Sequence, residues 1–201
     1  MSAEKKPWSM RWVVAAIVVV IPIYTILTLR FRKPGQPFQP YQEMHDRAVV
    51  LRLLSGGYQR IDVDARRPAD PGRGKAGAEV SAVPGGIPRE LQASLIDAPQ
   101  LPAEVDSVVA APEAAAGRAY PVEFACLLPD NRKQLSGAHL YLKGFDVAIV
   151  PDFERIPGGL MARTRQSPVL VTVPAGALKP GSYHVILVGE RTSRTWTLRV
   201  R

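Results

Sequence analysis

The chain has 201 residues, 46% apolar and 22% charged, with 19 prolines and 16 glycines; this is enough for one or two domains, and it suits short strands and turns better than long helices. The net charge of +8 would suit a nucleic-acid binder, but residues 1–33 hold six basic residues against Glu4 alone, a net +5, which leaves 20 basic and 17 acidic residues in 34–201. The excess therefore flanks an apolar segment and argues against nucleic acid as a partner, while a single cysteine, Cys126, excludes an intramolecular disulfide framework.

After a short tail (residues 1–11), positions 12–29 read WVVAAIVVVIPIYTILTL, eighteen residues with no formal charge between Arg11 and Arg30. As a helix this run spans roughly 27 Å at about 1.5 Å per residue, close to the ~30 Å of a bilayer's hydrocarbon core. It predicts a single-pass transmembrane helix, with Trp8 and Trp12 at one interface and Arg30, Arg32 and Lys33 reaching the other. A cleaved signal peptide is the rival, but it needs a shorter apolar run ending in small residues, and here LRFR follows at 29–32. Pro22 predicts a kink that a partner helix would fill. The balanced basic flanks do not orient the helix. The long C-terminal portion and the short tail favour the tail inside and the domain outside, which for a bacterial inner membrane means a periplasmic domain.

Residues 30–64 read as a membrane-proximal spacer and helix. PGQPFQP at 34–40 is a stiff extended spacer. In 41–55, Met44, Ala48, Leu51 and Leu54 recur at helical spacing, Glu43 and Arg47 form an i,i+4 pair, and Gly56-Gly57 is a stop. That apolar face is expected to bury, either on the chain's own domain or on a neighbouring subunit. YQRIDVD (58–64) alternates like a short strand, and 65–90 reads as a linker or long loop. Its cluster of Arg66, Arg67, Arg73 and Lys75 is either a solvated charge run or a surface for anionic lipid or an acidic partner.

From 91 to 201 the pattern becomes short alternating runs separated by turn signals. The strand readings are 91–96, 105–110, 120–128, 138–144, 145–150 ending at Pro151, 168–173, 182–188 and 195–200. Val122, Phe124, Cys126 and Leu128 share one face, as do Val169, Val171 and Val173, then Tyr183, Val185 and Leu187, then Trp196, Leu198 and Val200. The run LKPGSYHV (178–185) resembles the tyrosine corner of immunoglobulin-like and fibronectin-like domains, in which a Tyr at a strand start bonds back to upstream backbone. The resemblance covers roughly residues 100–201 and implies an antiparallel β-sandwich. Tyr183, Trp196 and Cys126 take structural roles in it, without the second cysteine of antibody domains. The expected fold is mainly β: a transmembrane helix, a short amphipathic helix, then an immunoglobulin-like sandwich over 91–201.

No nucleophile–base set, metal cluster or phosphate loop reaches motif strength, so neither an enzyme nor a cofactor is expected. PGG at 84–86 and at 157–159 lacks the Lys and Ser/Thr of a phosphate loop and reads as a turn. A metal site built from Cys126, His139, His184 and Met161 would need residues from separate elements to converge, so metal is disfavoured as a partner. The loop 151–166, PDFERIPGGLMARTRQ, mixes Phe153, Ile156, Leu160 and Met161 with Arg155, Arg163 and Arg165, as interaction surfaces do; core packing is the alternative for its apolar residues.

The layout of tail, single helix, linker helix and sandwich resembles accessory or assembly subunits of bacterial membrane complexes, including those of haem–copper respiratory oxidases. It implies membrane lipid and other membrane subunits as partners. The candidate interaction residues are Pro22, Met44, Leu51, Leu54, Phe153, Ile156, Met161, Arg163 and Arg165. Two other classes stay open: a membrane-anchored metallochaperone, and an envelope- or carbohydrate-binding module stacking sugars on Tyr141 or Phe153.

Overall fold

The computed structural model describes residues 10–31, 40–70 and 77–201. Trp8, Arg32, Lys33, the spacer to residue 39, Arg73 and Lys75 lie outside the described residues. The chain divides into two units, 1–43 and 44–201.

In the first unit, α1 (Met10–Phe31) is an unbroken helix of 22 residues, long and apolar enough over Met10–Thr28 to cross a membrane. Pro22 sits inside it, and having no N–H it leaves the Val18 carbonyl without its helical donor. One turn further on, the Thr25 hydroxyl donates to the Ile21 carbonyl at 2.8 Å.

Most of α2 (Pro40–Ser55) belongs to the second unit, where it is followed by β1 (Gln59–Asp62), β2 (Asp64–Arg66), β3 (Ser81–Pro84), α3 (Arg89–Ser94), β4 (Glu104–Ala110) and β5 (Glu113–Ala114). Then come β6 (Tyr120–Leu127), β7 (Lys133–Lys143), β8 (Asp146–Arg155), β9 (Gln166–Val173), β10 (Gly181–Leu187) and β11 (Thr192–Val200). All these strands belong to one large sheet in the order β1-β7-β8-β10-β11-β4-β6-β9-β2, with β3 and β5 also on β11. Pairing is antiparallel except where β10 meets β8 and β11 meets β4 and β5. Only Val63 separates β1 from β2, so strands at opposite ends of this order are consecutive in the chain.

Period-2 alternation explains the four best-read strands. Val122, Phe124, Cys126, Val169, Val171, Tyr183, Val185, Trp196 and Leu198 all join one core cluster. On the other side of the sheet a smaller cluster forms from Leu53 of α2, Leu91 of α3, Tyr58, Tyr141, Ala148, Val150 and Val188. Burying a leucine such as Leu53 stabilises by about 1.5–3 kcal/mol.

Several expectations are corrected here. LQASLI at 91–96 is not a strand. Residues Arg89–Ser94 form α3, started by Pro88 and with Glu90 in the first turn; Leu91 is buried and Leu95 packs beside it. β8 does not stop at Pro151. β10 pairs it only along Asp146–Ile149, so Pro151 lies where no strand on that side asks for its missing N–H. The short strand read at 58–64 is present as β1, whereas β3 at Ser81–Pro84 and the end of β2 fall within 65–90, expected to be a linker or long loop. At the β7–β8 turn Gly144 has φ +61, where a side chain would be strained.

Candidate interaction surfaces

The helical face read from sequence is the outward one. Met44 is 72% exposed, Leu51 67% and Leu54 59%, and Ala48 is exposed beside them. The opposite stripe, His45, Val49 and Leu53 at i, i+4 and i+8, is turned to the domain, with Leu53 fully buried and Val49 packed against the same cluster. Polar contacts fix the helix on this side: His45 Nε2 meets Asp97 Oδ2 at 2.7 Å, and Arg52 Nε donates to the Ala93 carbonyl at 3.2 Å. The expectation that Met44, Ala48, Leu51 and Leu54 bury on the chain's own domain is therefore corrected. Both faces of the helix are apolar, so spacing alone did not distinguish them.

Beside α2 runs an open groove of about 430 Å³, lined among others by His45, Arg60, Asp97, His139, Tyr141 and Asp152. Arg60 Nη2 approaches His139 Nε2 at 3.5 Å. A guanidinium only donates, so Nε2 accepts and the ring proton sits on Nδ1. That Nδ1 is buried and, among the described residues, has no partner within hydrogen-bond distance; the nearest carboxylate, Asp62 Oδ1, lies 3.7 Å away. Burial, helped by the Arg60 charge, lowers the His139 pKa; Asp62 and Asp152 act the other way and are outweighed. The groove's members are scattered over positions 45 to 152, and no local spacing marked them in the sequence.

The third surface is the loop between β8 and β9. Phe153 does not belong to it: this ring is a core residue, which corrects its assignment as an exposed contact. Ile156 is half-buried, while Leu160 (67%) and Met161 (61%) are exposed, as are Arg155, Arg163 and Arg165. Backbone bonds tie the loop down, Ile156 N–H to the Arg132 carbonyl at 2.7 Å and Ala162 N–H to the Asn131 carbonyl at 2.7 Å. Arg165 Nε donates to the Leu128 carbonyl at 3.0 Å. PGG at 157–159 forms a short 3-10 turn, with Gly158 and Gly159 both at φ +72.

No protein-family model, curated protein or solved structure matches this chain.

The structural residues read from the sequence sit as follows. Tyr183 Oη donates to the Lys179 carbonyl at 2.9 Å and accepts from the Lys179 N–H at 3.1 Å, which is the upstream bond of a tyrosine corner. Trp196 Nε1 donates to Tyr120 Oη at 3.2 Å, and Tyr120 Oη donates to the Ala111 carbonyl at 2.7 Å. Burial raises the Tyr120 pKa to about 12, so the phenol remains a donor. Cys126 Sγ is buried and donates to the Ser167 carbonyl at 3.3 Å.

The structure does not gather the residues named for metal. Cys126 lies in the core, whereas His184 sits on β10 bonded to Thr195 Oγ1 at 2.8 Å, and His139 lines the groove. Among the described residues no group of three or more His, Cys, Asp or Glu is placed to hold a metal ion. Tyr141 and Phe153, named for sugar stacking, are both buried.

Proposed function

We propose that this protein is a non-enzymatic, membrane-anchored accessory or assembly subunit of a bacterial membrane protein complex, with a respiratory oxidase as the complex its layout suggests. The carrying observation is the outer face of α2, where Met44, Leu51 and Leu54 stand in solvent on a helix that the domain already holds by its other side. Monomeric soluble proteins rarely leave such faces uncovered, and an i, i+3/i+4, i+7 apolar stripe is what a helix presents to a groove or to another helix. In this reading α1 is the single-pass anchor, Pro22 marks where a partner helix packs, and the domain is periplasmic at the inner membrane. Arg163, Arg165, Met161 and Ile156 form a second contact region.

The domain is read as an immunoglobulin-like sandwich. Antiparallel pairing of β4 with β6 and of β6 with β9 follows the A–B–E sheet of that fold, and β10–β11 with the Tyr183 corner follows F–G. One departure is explicit. In the immunoglobulin order the C strand lies beside F, whereas here β8, the second strand of the β7–β8 hairpin, takes that place and runs parallel to β10.

The test is extraction in a mild detergent, followed by native electrophoresis and mass spectrometry of the band. Recovery in a large complex is expected, and Leu51→Asp with Leu54→Asp should release a monomer whose urea midpoint is unchanged. Migration of the unaltered chain as a free monomer would overturn the reading.

A further inference from the structure

Three segments distant in sequence converge at the end of the sheet where β7 begins and β8 finishes. Arg66 and Arg67 line a cavity of about 380 Å³ together with Lys133, Ile156 and Ala162. Arg132 and Arg155 flank the neighbouring cavity closed by Pro157, Gly158 and Leu160. Within 64–67, 130–134 and 154–165 there are seven basic residues against Asp64, Asp130 and Glu154, a net +4, whereas all of 34–201 nets only +3. The domain's positive charge is thus concentrated at this end. At its tip Leu160 and Met161 stand exposed between Arg155 and Arg163.

The path of α2 within the domain points the same way. Its last turns lie beside Ser94 and, past Gly57, beside Lys143. Its earlier part lies in the groove that holds Asp152, three residues before Arg155. Within the domain, α2 thus runs from beside Asp152 to beside Lys143, and in sequence a helix of membrane-crossing length ends thirteen residues before Met44. Thirteen residues reach at most about 45 Å, which keeps any bilayer holding that helix within reach of the domain.

We infer that this basic end, Arg132, Arg155, Arg163 and Arg165 around Leu160 and Met161, is a membrane-contact surface that takes anionic phospholipid headgroups and sinks the Leu160–Met161 tip into the interface. Cationic side chains near an anionic leaflet each strengthen attachment about fivefold, and apolar tip residues add burial that does not depend on salt. The inference uses the anchor of the proposed function to bring the bilayer near and gives that reading's second contact region, Arg163, Arg165 and Met161, to lipid; it does not involve the outer face of α2.

The test uses the full chain with Leu160→Cys carrying an environment-sensitive dye. Buried Cys126, its thiol pushed up to about 12, stays unlabelled. Ser182→Cys, at the opposite end of the sheet beside the β7–β8 turn, is the control. The chain is mixed with vesicles of phosphatidylcholine alone or with phosphatidylglycerol, and both flotation and emission are read. The expected result is a shift to shorter wavelength at position 160, not 182, with anionic vesicles. Arg155→Gln with Arg163→Gln should weaken contact roughly 25-fold, and 1 M salt should remove most of it as the screening length falls to about 3 Å.

Flotation with both vesicle types but no shift at 160 overturns the contact surface and leaves the anchor. A shift on anionic vesicles without flotation on neutral ones removes the anchor and leaves the surface. An acidic protein as the true partner would give no shift on any vesicle, and so would also overturn the inference.

Discussion

Burial acts on Cys126 and His139 in opposite directions. Removing water penalises whichever form is charged, so the thiol is pushed up to about 12 and the imidazole down from 6.5. Cys126 is therefore almost entirely protonated at neutral pH and is buried in the same core cluster as Phe124 and Val169. Maleimide at pH 7.5 should leave it unmodified in the folded chain and modify it fully in 6 M guanidinium. Rapid labelling of the native protein would show that the core is not closed. For His139 the folded chain binds the proton less readily than the unfolded chain, so its contribution is intact above 6.5 and is lost as pH falls below that value. Urea midpoints at pH 7 and pH 5 should converge more for His139→Asn than for the unaltered chain. An equal drop in both would mean that His139 is not the group responsible.

At the scale of one element, α2 shows how much periodicity conveys and where it stops. Spacing predicted the helix and its Gly56-Gly57 end correctly. It placed the buried stripe on Met44, Ala48, Leu51 and Leu54, whereas the domain takes Val49 and Leu53. When apolar residues lie on both sides of a helix, spacing has no preferred direction, and only the facing surface of Tyr141, Val150 and Val188 decides. The difference is measurable. Leu53→Ala should cost about 2–5 kcal/mol in urea unfolding because it opens a cavity under α2, whereas Leu51→Ala should stay within about 0.5 kcal/mol. Equal effects would contradict the assignment of faces. β6, β9, β10 and β11 were legible for the converse reason: each has one alternating buried set, in β11 from Trp196 onward, so a strand period left a single choice. α3 was not, because a six-residue apolar run reads equally as strand or helix until Leu91 is seen packed beside Leu53.

At the scale of the molecule, the sheet has two apolar sides, and α2 covers part of the second. The sequence suggested a β domain from 91 onward because its alternation is strongest there, yet β1, β2 and β3 pair with β7, β9 and β11. Such pairings join residues about 80 to 110 positions apart, and no local pattern records them. The functional domain therefore begins upstream of the sheet. A chain starting at Pro40 keeps α2, buries Leu53 against Leu91, Tyr141 and Val150, and should run as a folded species on size exclusion with α1 removed. A chain starting at Tyr58 keeps every strand but loses that cover, exposing Leu91, Ala148, Val150 and Val188 on one face. Four contiguous apolar side chains stripped in this way form an association surface, so the shorter chain should aggregate although its β content is intact. If the two behave alike, α2 is an appendage rather than part of the fold, and its outer face would then have to be read as part of a mobile tether rather than as a surface the domain holds in place.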